Sequence, residues 1–70
     1  MTPQEIKKIR KALGLSQSGL AEVLRMAGSG ARTVRAWESG ERTITGPAAV
    51  ALGFIYERHL ISQANNKEII

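Results

Sequence analysis

The chain has no cysteine and no aspartate, a single histidine and only one residue each of tryptophan, phenylalanine and tyrosine. Without cysteine there is no disulfide to staple a small core and no thiolate to hold a metal, so stability must come from close helix packing or from a second copy. The one histidine, His59, stands beside Glu57, Arg58 and Leu60 with no second ligand at metal-binding spacing, and packing or surface exposure is its expected role. The acidic residues are all glutamates, scattered over separate predicted helices. No catalytic constellation is legible, and neither an enzyme nor a metal or other cofactor is expected. No apolar run approaches the roughly 20 residues of a membrane span, and Met1-Thr2-Pro3-Gln4-Glu5 lacks the apolar core of an export signal; a cytoplasmic protein is expected.

What is present fits one small domain. Seventy residues leave little room for an extended apolar interior. Ten Lys and Arg against six Glu give a net charge of +4, which suits a polyanionic partner without naming one.

The local signals are helical throughout. Thr2-Pro3-Gln4-Glu5 has the form of a capping box with proline at the first helical position, so a helix is predicted from Pro3 to Leu13, with Ile6, Ile9 and Leu13 on one face and Gly14 as its stop. Ser16 is a good N-cap for a second helix, Gln17 to Leu24, carrying Leu20, Ala21 and Leu24 inward. Gly28-Ser29-Gly30 breaks the chain before a third helix, Ala31 to Ser39, which Gly40 ends. Val34 and Trp37 face the core there, and Trp37 reads as an anchor of packing. Glu41 to Gly46 reads as a polar connection. Pro47 opens the longest helical stretch, with Ala48, Ala51, Leu52 and Ile55 on one face and Val50, Phe54, Glu57 and Ile61 on a second. The fold class is therefore all-α, a compact bundle of four to five helices. Residues 1–62 are expected to form the folded unit and 63–70 a short polar tail.

A 100° step per residue aims Arg32, Arg35, Ala36 and Ser39 away from a core contacted by Val34 and Trp37, and puts Thr33 on the flank. Leu13-Gly14-Leu15-Ser16-Gln17, then Leu20-Ala21-Glu22-Val23-Leu24, then Arg32-Thr33-Val34-Arg35-Ala36-Trp37-Glu38-Ser39-Gly40 resemble the phage-repressor-like helix-turn-helix family that includes the Cro and lambdoid repressors. The resemblance spans roughly Thr2 to Ile55. Arg42-Thr43-Ile44-Thr45-Gly46-Pro47-Ala48 further resembles the small prophage-type regulators and antitoxin DNA-binding domains of that family.

The resemblance implies that the third helix enters the major groove of double-stranded DNA. Arg32 and Arg35 are then the natural base readers, since an arginine fork matches O6 and N7 of guanine; Ala36 accommodates a thymine methyl, with Thr33 beside them. Gln17, with Ser16 at the start of the second helix, stands where the family contacts a backbone phosphate, and Ser39, Arg42 and Thr43 reach the next phosphates. Glu38 resembles the family glutamate that pairs with an arginine of the first helix, and Arg10 occupies the matching place. The chain departs from the family between Leu24 and Thr33, where the turn is about three residues longer than the usual tight corner. That segment either lengthens the second helix or forms a loop meeting phosphate through Arg25, Ser29 and Gly30.

The second apolar face of the last helix, Val50, Phe54, Glu57 and Ile61, has the 4-3-4 spacing of a helix crossing its symmetry mate, and predicts a homodimer on a palindromic operator. A dimeric autorepressor of a small phage or bacterial operon is the expected function. The competing expectation is an antitoxin or protein-interaction module that holds a partner protein as well as DNA.

Overall fold

The computed structural model describes residues 1–69, and the side chains of residues 1–64. Four helices follow one another: α1 Pro3–Ala12, α2 Gln17–Val23, α3 Gly30–Ser39 and α4 Gly46–Ile69. Among the described residues there is no strand.

The ends of the helices are set by local chemistry. The capping box forms as expected: the Glu5 N–H donates to Thr2 Oγ1 at 3.2 Å and the Thr2 N–H donates to Glu5 Oε1 at 2.9 Å. The bond from the Thr2 N–H, with the Thr2 hydroxyl beside it, holds the Glu5 carboxyl below the usual glutamate range. α1 closes one residue earlier than predicted, because Leu13 serves as its C-cap. Gly14 follows in the left-handed region at φ 71°. Its N–H donates to the Lys11 carbonyl and that of Leu15 to the Arg10 carbonyl, the paired bonds of a Schellman closure.

α2 ends in the same closure without a glycine. The Arg25 N–H donates to the Glu22 carbonyl at 3.0 Å and the Met26 N–H to the Ala21 carbonyl at 2.9 Å, and Arg25 itself sits at φ 59°. A side chain held in that region costs about 1 to 2 kcal/mol. The longer turn therefore does not extend α2, as one of the two sequence expectations had it. It turns sharply after Leu24, tucks Met26 half-buried against the core, and runs exposed from Ala27 to Ser29 into α3.

α3 is the centre of the fold, packing on both α2 and α1. Ile6, Ile9, Leu20, Ala21, Val34, Trp37, Ile44 and Leu52 form the buried cluster, drawn from every helix and from the α3–α4 connection. Ile44 corrects the reading of residues 41–46 as merely polar: it is a single apolar anchor that ties the connection down. Gly30 is buried at the α2–α3 contact, where a Cβ would lie 2.8 Å from Ala21 Cβ and 3.0 Å from Met26 Cβ. Only glycine permits that approach.

α4 is 24 residues long, about 36 Å at 1.5 Å per residue, against a longest molecular dimension of 42 Å. Leu52 enters the core, with Ala48, Ala49 and Tyr56 half-buried around it. The helix continues without a break through Ser62 to Ile69, so the backbone of the expected tail is helical from 63 to 69, while residue 70 lies outside the described residues. No proline or glycine follows Gly53 to stop the helix.

Candidate nucleic-acid interface

α3 presents two sides of opposite character. Val34 and Trp37 are buried, which fixes the rotation of the helix about its axis, and Arg32, Arg35 and Ser39 are exposed on the far side. Thr33 lies half-buried between them.

Ala36 departs from its expected outward placement: it is only 6% exposed. The chain leaves α3 through Gly40 at φ 85° and folds back, and the Arg42 N–H donates to the Ala36 carbonyl at 3.1 Å. That return covers the Ala36 methyl although helical periodicity alone points it to solvent. Ala36 thus floors a recess of about 240 Å³ walled by Ser29, Arg32, Thr33, Glu41 and Arg42. Residues expected at separate points of a DNA contact are thereby gathered around one concavity. Glu41, the first residue of the polar connection, adds a negative charge to it.

The other side of α3 is organised by Gln17. Its Oε1 accepts from Arg35 Nε at 3.3 Å, and its Nε2 stands 3.5 Å from Glu38 Oε1, at the long limit of a donated bond. One amide hydrogen of Gln17 remains for a further acceptor. Glu38 is paired with Arg10: Nε donates to Oε2 at 2.6 Å and Nη2 to Oε1 at 3.0 Å, while Nη1 donates to the Leu15 carbonyl at 2.9 Å. The two side chains are 12% and 7% exposed, so the fork is sheltered. The Arg10 bonds hold the Glu38 carboxyl below its usual range, and the same bonds raise the already high Arg10 value. The Arg10–Glu38 pair expected from the sequence is therefore present, and it continues through Gln17 to Arg35 on the exposed face.

Two of the expected phosphate contacts carry local duties. Ser16 Oγ accepts from the Gly19 N–H at 2.9 Å as the cap of α2, leaving its own O–H to donate outward. Ser39 Oγ donates to the Ala36 carbonyl at 3.1 Å and accepts from the Glu41 N–H at 3.3 Å, so its hydroxyl is engaged in the turn after α3. Ser29 makes no side-chain cap bond to α3, and Arg42 and Thr43 are exposed.

No cluster of three His, Cys, Asp or Glu side chains occurs among the described residues, and no helix is long and apolar enough to cross a membrane. His59 is half-buried on α4.

Val50, Phe54 and Ile61 are 75, 60 and 53% exposed, and Glu57 is exposed with them. At 100° per residue they lie about 140 to 180° around α4 from Leu52, so this apolar face does not complete the core of the single chain.

A helix-turn-helix family model matches residues 6–52, from Ile6 in α1 through Leu52 in α4. Neither a curated protein nor a solved structure shows significant similarity to the chain. The matched stretch is more than half of the chain and holds the α2–turn–α3 unit, the Arg10–Glu38 pair and the core that orients α3. The chain belongs to the Cro/C1-type helix-turn-helix family of DNA-binding transcription regulators.

Proposed function

We propose that the protein is a homodimeric repressor that reads a palindromic operator through α3 and controls its own small operon. The observation that carries base reading is the exposure of Arg32 and Arg35 on an α3 whose rotation Val34 and Trp37 fix. Each arginine can donate two bonds to a guanine edge, contributing about 1 to 3 kcal/mol of discrimination, so at least one G·C pair is expected in each half-site. Thr33 stands beside them, and Ala36 takes part only as the floor of the recess. Gln17, Ser16, Ser29, Arg42 and Thr43 are the phosphate contacts in this reading, with Ser39 bracing the turn that presents Arg42.

The exposed α4 face of Val50, Phe54, Glu57 and Ile61 supports the dimer. A twofold pair would set two recognition helices about 34 Å apart, one turn of DNA, and hence require a palindrome. The same face is what an antitoxin or adaptor would offer a foreign protein. The family match stops at residue 52, before most of that face, and supports DNA binding alone.

Selection of bound sites from a random duplex pool, repeated with Arg32→Ala, tests the reading. The expected result is a symmetric site with a G·C pair whose preference the variant loses, while Arg42→Ala weakens all sequences alike. An unchanged ranking of sites with Arg32→Ala would remove Arg32 as a base reader. A chain that stays monomeric and binds half-sites as tightly as full ones would select the interaction-module reading.

A further inference from the structure

We propose, resting on the dimer reading above, that two copies pair antiparallel along α4 about a twofold axis passing between Glu57 and Arg58. Phe54, Glu57, Arg58 and Ile61 stand at i, i+3, i+4 and i+7, the four corners of one helix face, and all four are exposed. Between Gly46 and Ala64, Glu57 is the only acidic residue and Arg58 the only Lys or Arg. The single charge of each sign thus sits at the middle of the apolar face, with an apolar residue one turn away on either side.

That pattern is self-complementary in one orientation only. In an antiparallel pair centred between residues 57 and 58, Glu57 comes opposite Arg58 of the partner subunit and Phe54 opposite Ile61 of the partner subunit. A twofold axis makes each of these contacts twice. A parallel pair in register would instead oppose glutamate to glutamate and arginine to arginine, which is destabilising. The face also has no net charge, so it does not select a strongly acidic or basic foreign protein.

The single chain leaves these charges available. Among the described residues the only ion pair joins Arg10 and Glu38. Arg58 lies with its guanidinium carbon 6.0 Å from the centre of the Phe54 ring, which keeps it over the face instead of turned to the flank. Phe54 therefore presents both the apolar contact and the support for the cation.

The absence of cysteine makes the register directly measurable, since single cysteines report with no background. Val50→Cys and Glu57→Cys are made separately in the full chain and oxidised with copper phenanthroline, at a concentration where sedimentation equilibrium finds the wild type dimeric. About the proposed axis the two copies of residue 57 are offset by about 1.5 Å along the helices and those of residue 50 by about 22 Å. A disulfide needs Cα atoms within about 7 Å. The expected result is a cross-linked dimer with Glu57→Cys and none with Val50→Cys. In addition, Glu57→Arg and Arg58→Glu should each weaken self-association at least about tenfold, and an equimolar mixture of the two should restore it as a heterodimer.

Cross-linking through Val50→Cys, or through neither cysteine, overturns the register while a dimeric wild type keeps the dimer reading. Self-association unaffected by either charge reversal also overturns it. A wild type that is monomeric at hundreds of micromolar sinks the dimer reading and this proposal together.

Discussion

Arg10→Met is the most informative single change, because it keeps the aliphatic stem against α1 and α3 and removes only the guanidinium. Three things are lost together: the two bonds to Glu38 and the bond to the Leu15 carbonyl. What remains is a carboxylate whose side chain is 7% exposed, facing only a long contact from Gln17. Breaking one side of such a sheltered pair costs about 3 to 5 kcal/mol, most of it from the uncompensated charge left behind. A domain of this size has a total stability of about 4 to 10 kcal/mol, so the variant should be close to the edge of folding. Its thermal midpoint should fall by at least about 12 °C. The double variant Arg10→Met with Glu38→Leu removes the stranded charge and should recover all but about 1 to 2 kcal/mol, the share of the lost Leu15 and Gln17 bonds. Urea melts followed by circular dichroism at 222 nm measure all four corners of the cycle. A single variant within about 1 kcal/mol of wild type, or a double variant no more stable than the single, would refute the assignment of the pair as a sheltered unit.

The same pair sets a pH dependence: because Glu38 is held below its usual value, its stabilising share is complete above about pH 4.5 and is lost as pH falls through the lower folded value. In Arg10→Met the unpaired carboxyl shifts the other way, so the gap between the variant and wild type should narrow in melts taken below about pH 4.5. Gly30→Ala should destabilise by about 1 to 3 kcal/mol in urea melts, because its Cβ would press into Ala21 and Met26. Arg25→Gly should raise stability by about 1 kcal/mol or less, relieving the left-handed side chain at some cost in unfolded-state entropy. Glu41→Gln should tighten binding to all duplexes by about the same few-fold factor at low salt, measured by fluorescence anisotropy, since it removes one negative charge from the recess beside Arg32 and Arg42.

Much of the architecture is legible in the sequence because its signals are short-ranged. Thr2 and Glu5, Ser16, Gly14 and Gly40 act on backbone groups within four residues, and each ends or begins a helix within one residue of where the pattern puts it. The outward placement of Arg32 and Arg35, and of Val50, Phe54 and Ile61, follows from helical period alone once one inward residue is known. What escapes depends on segments meeting from a distance. Ala36 is covered by a chain reversal after α3, and no periodicity argument registers that reversal. Ile44 is one apolar residue among polar neighbours, and only the meeting of the connection with α1 and α3 makes it core. Gly30 reads locally as a helix breaker, yet it is the contact point of two helices. Arg25 in a left-handed closure has no compositional sign, since glycine is the residue expected there. The family resemblance implies a phosphate contact for Gln17, whereas its bond to Arg35 depends on the two helices lying side by side.

The close approach of Gly30 to Ala21 separates two properties that the tight corner of a helix-turn-helix usually fuses, the length of the turn and the mutual placement of its helices. Here the placement is set by touching side chains and backbone, and the exposed Ala27 and Gly28 act as a tether. Lengthening a tether is thermodynamically cheap, roughly 0.6 kcal/mol for each doubling. A peptide tag or a small ligand-gated domain spliced between Ala27 and Gly28 should leave α3 seated, which offers a port for converting the protein into a regulator that responds to a chosen signal.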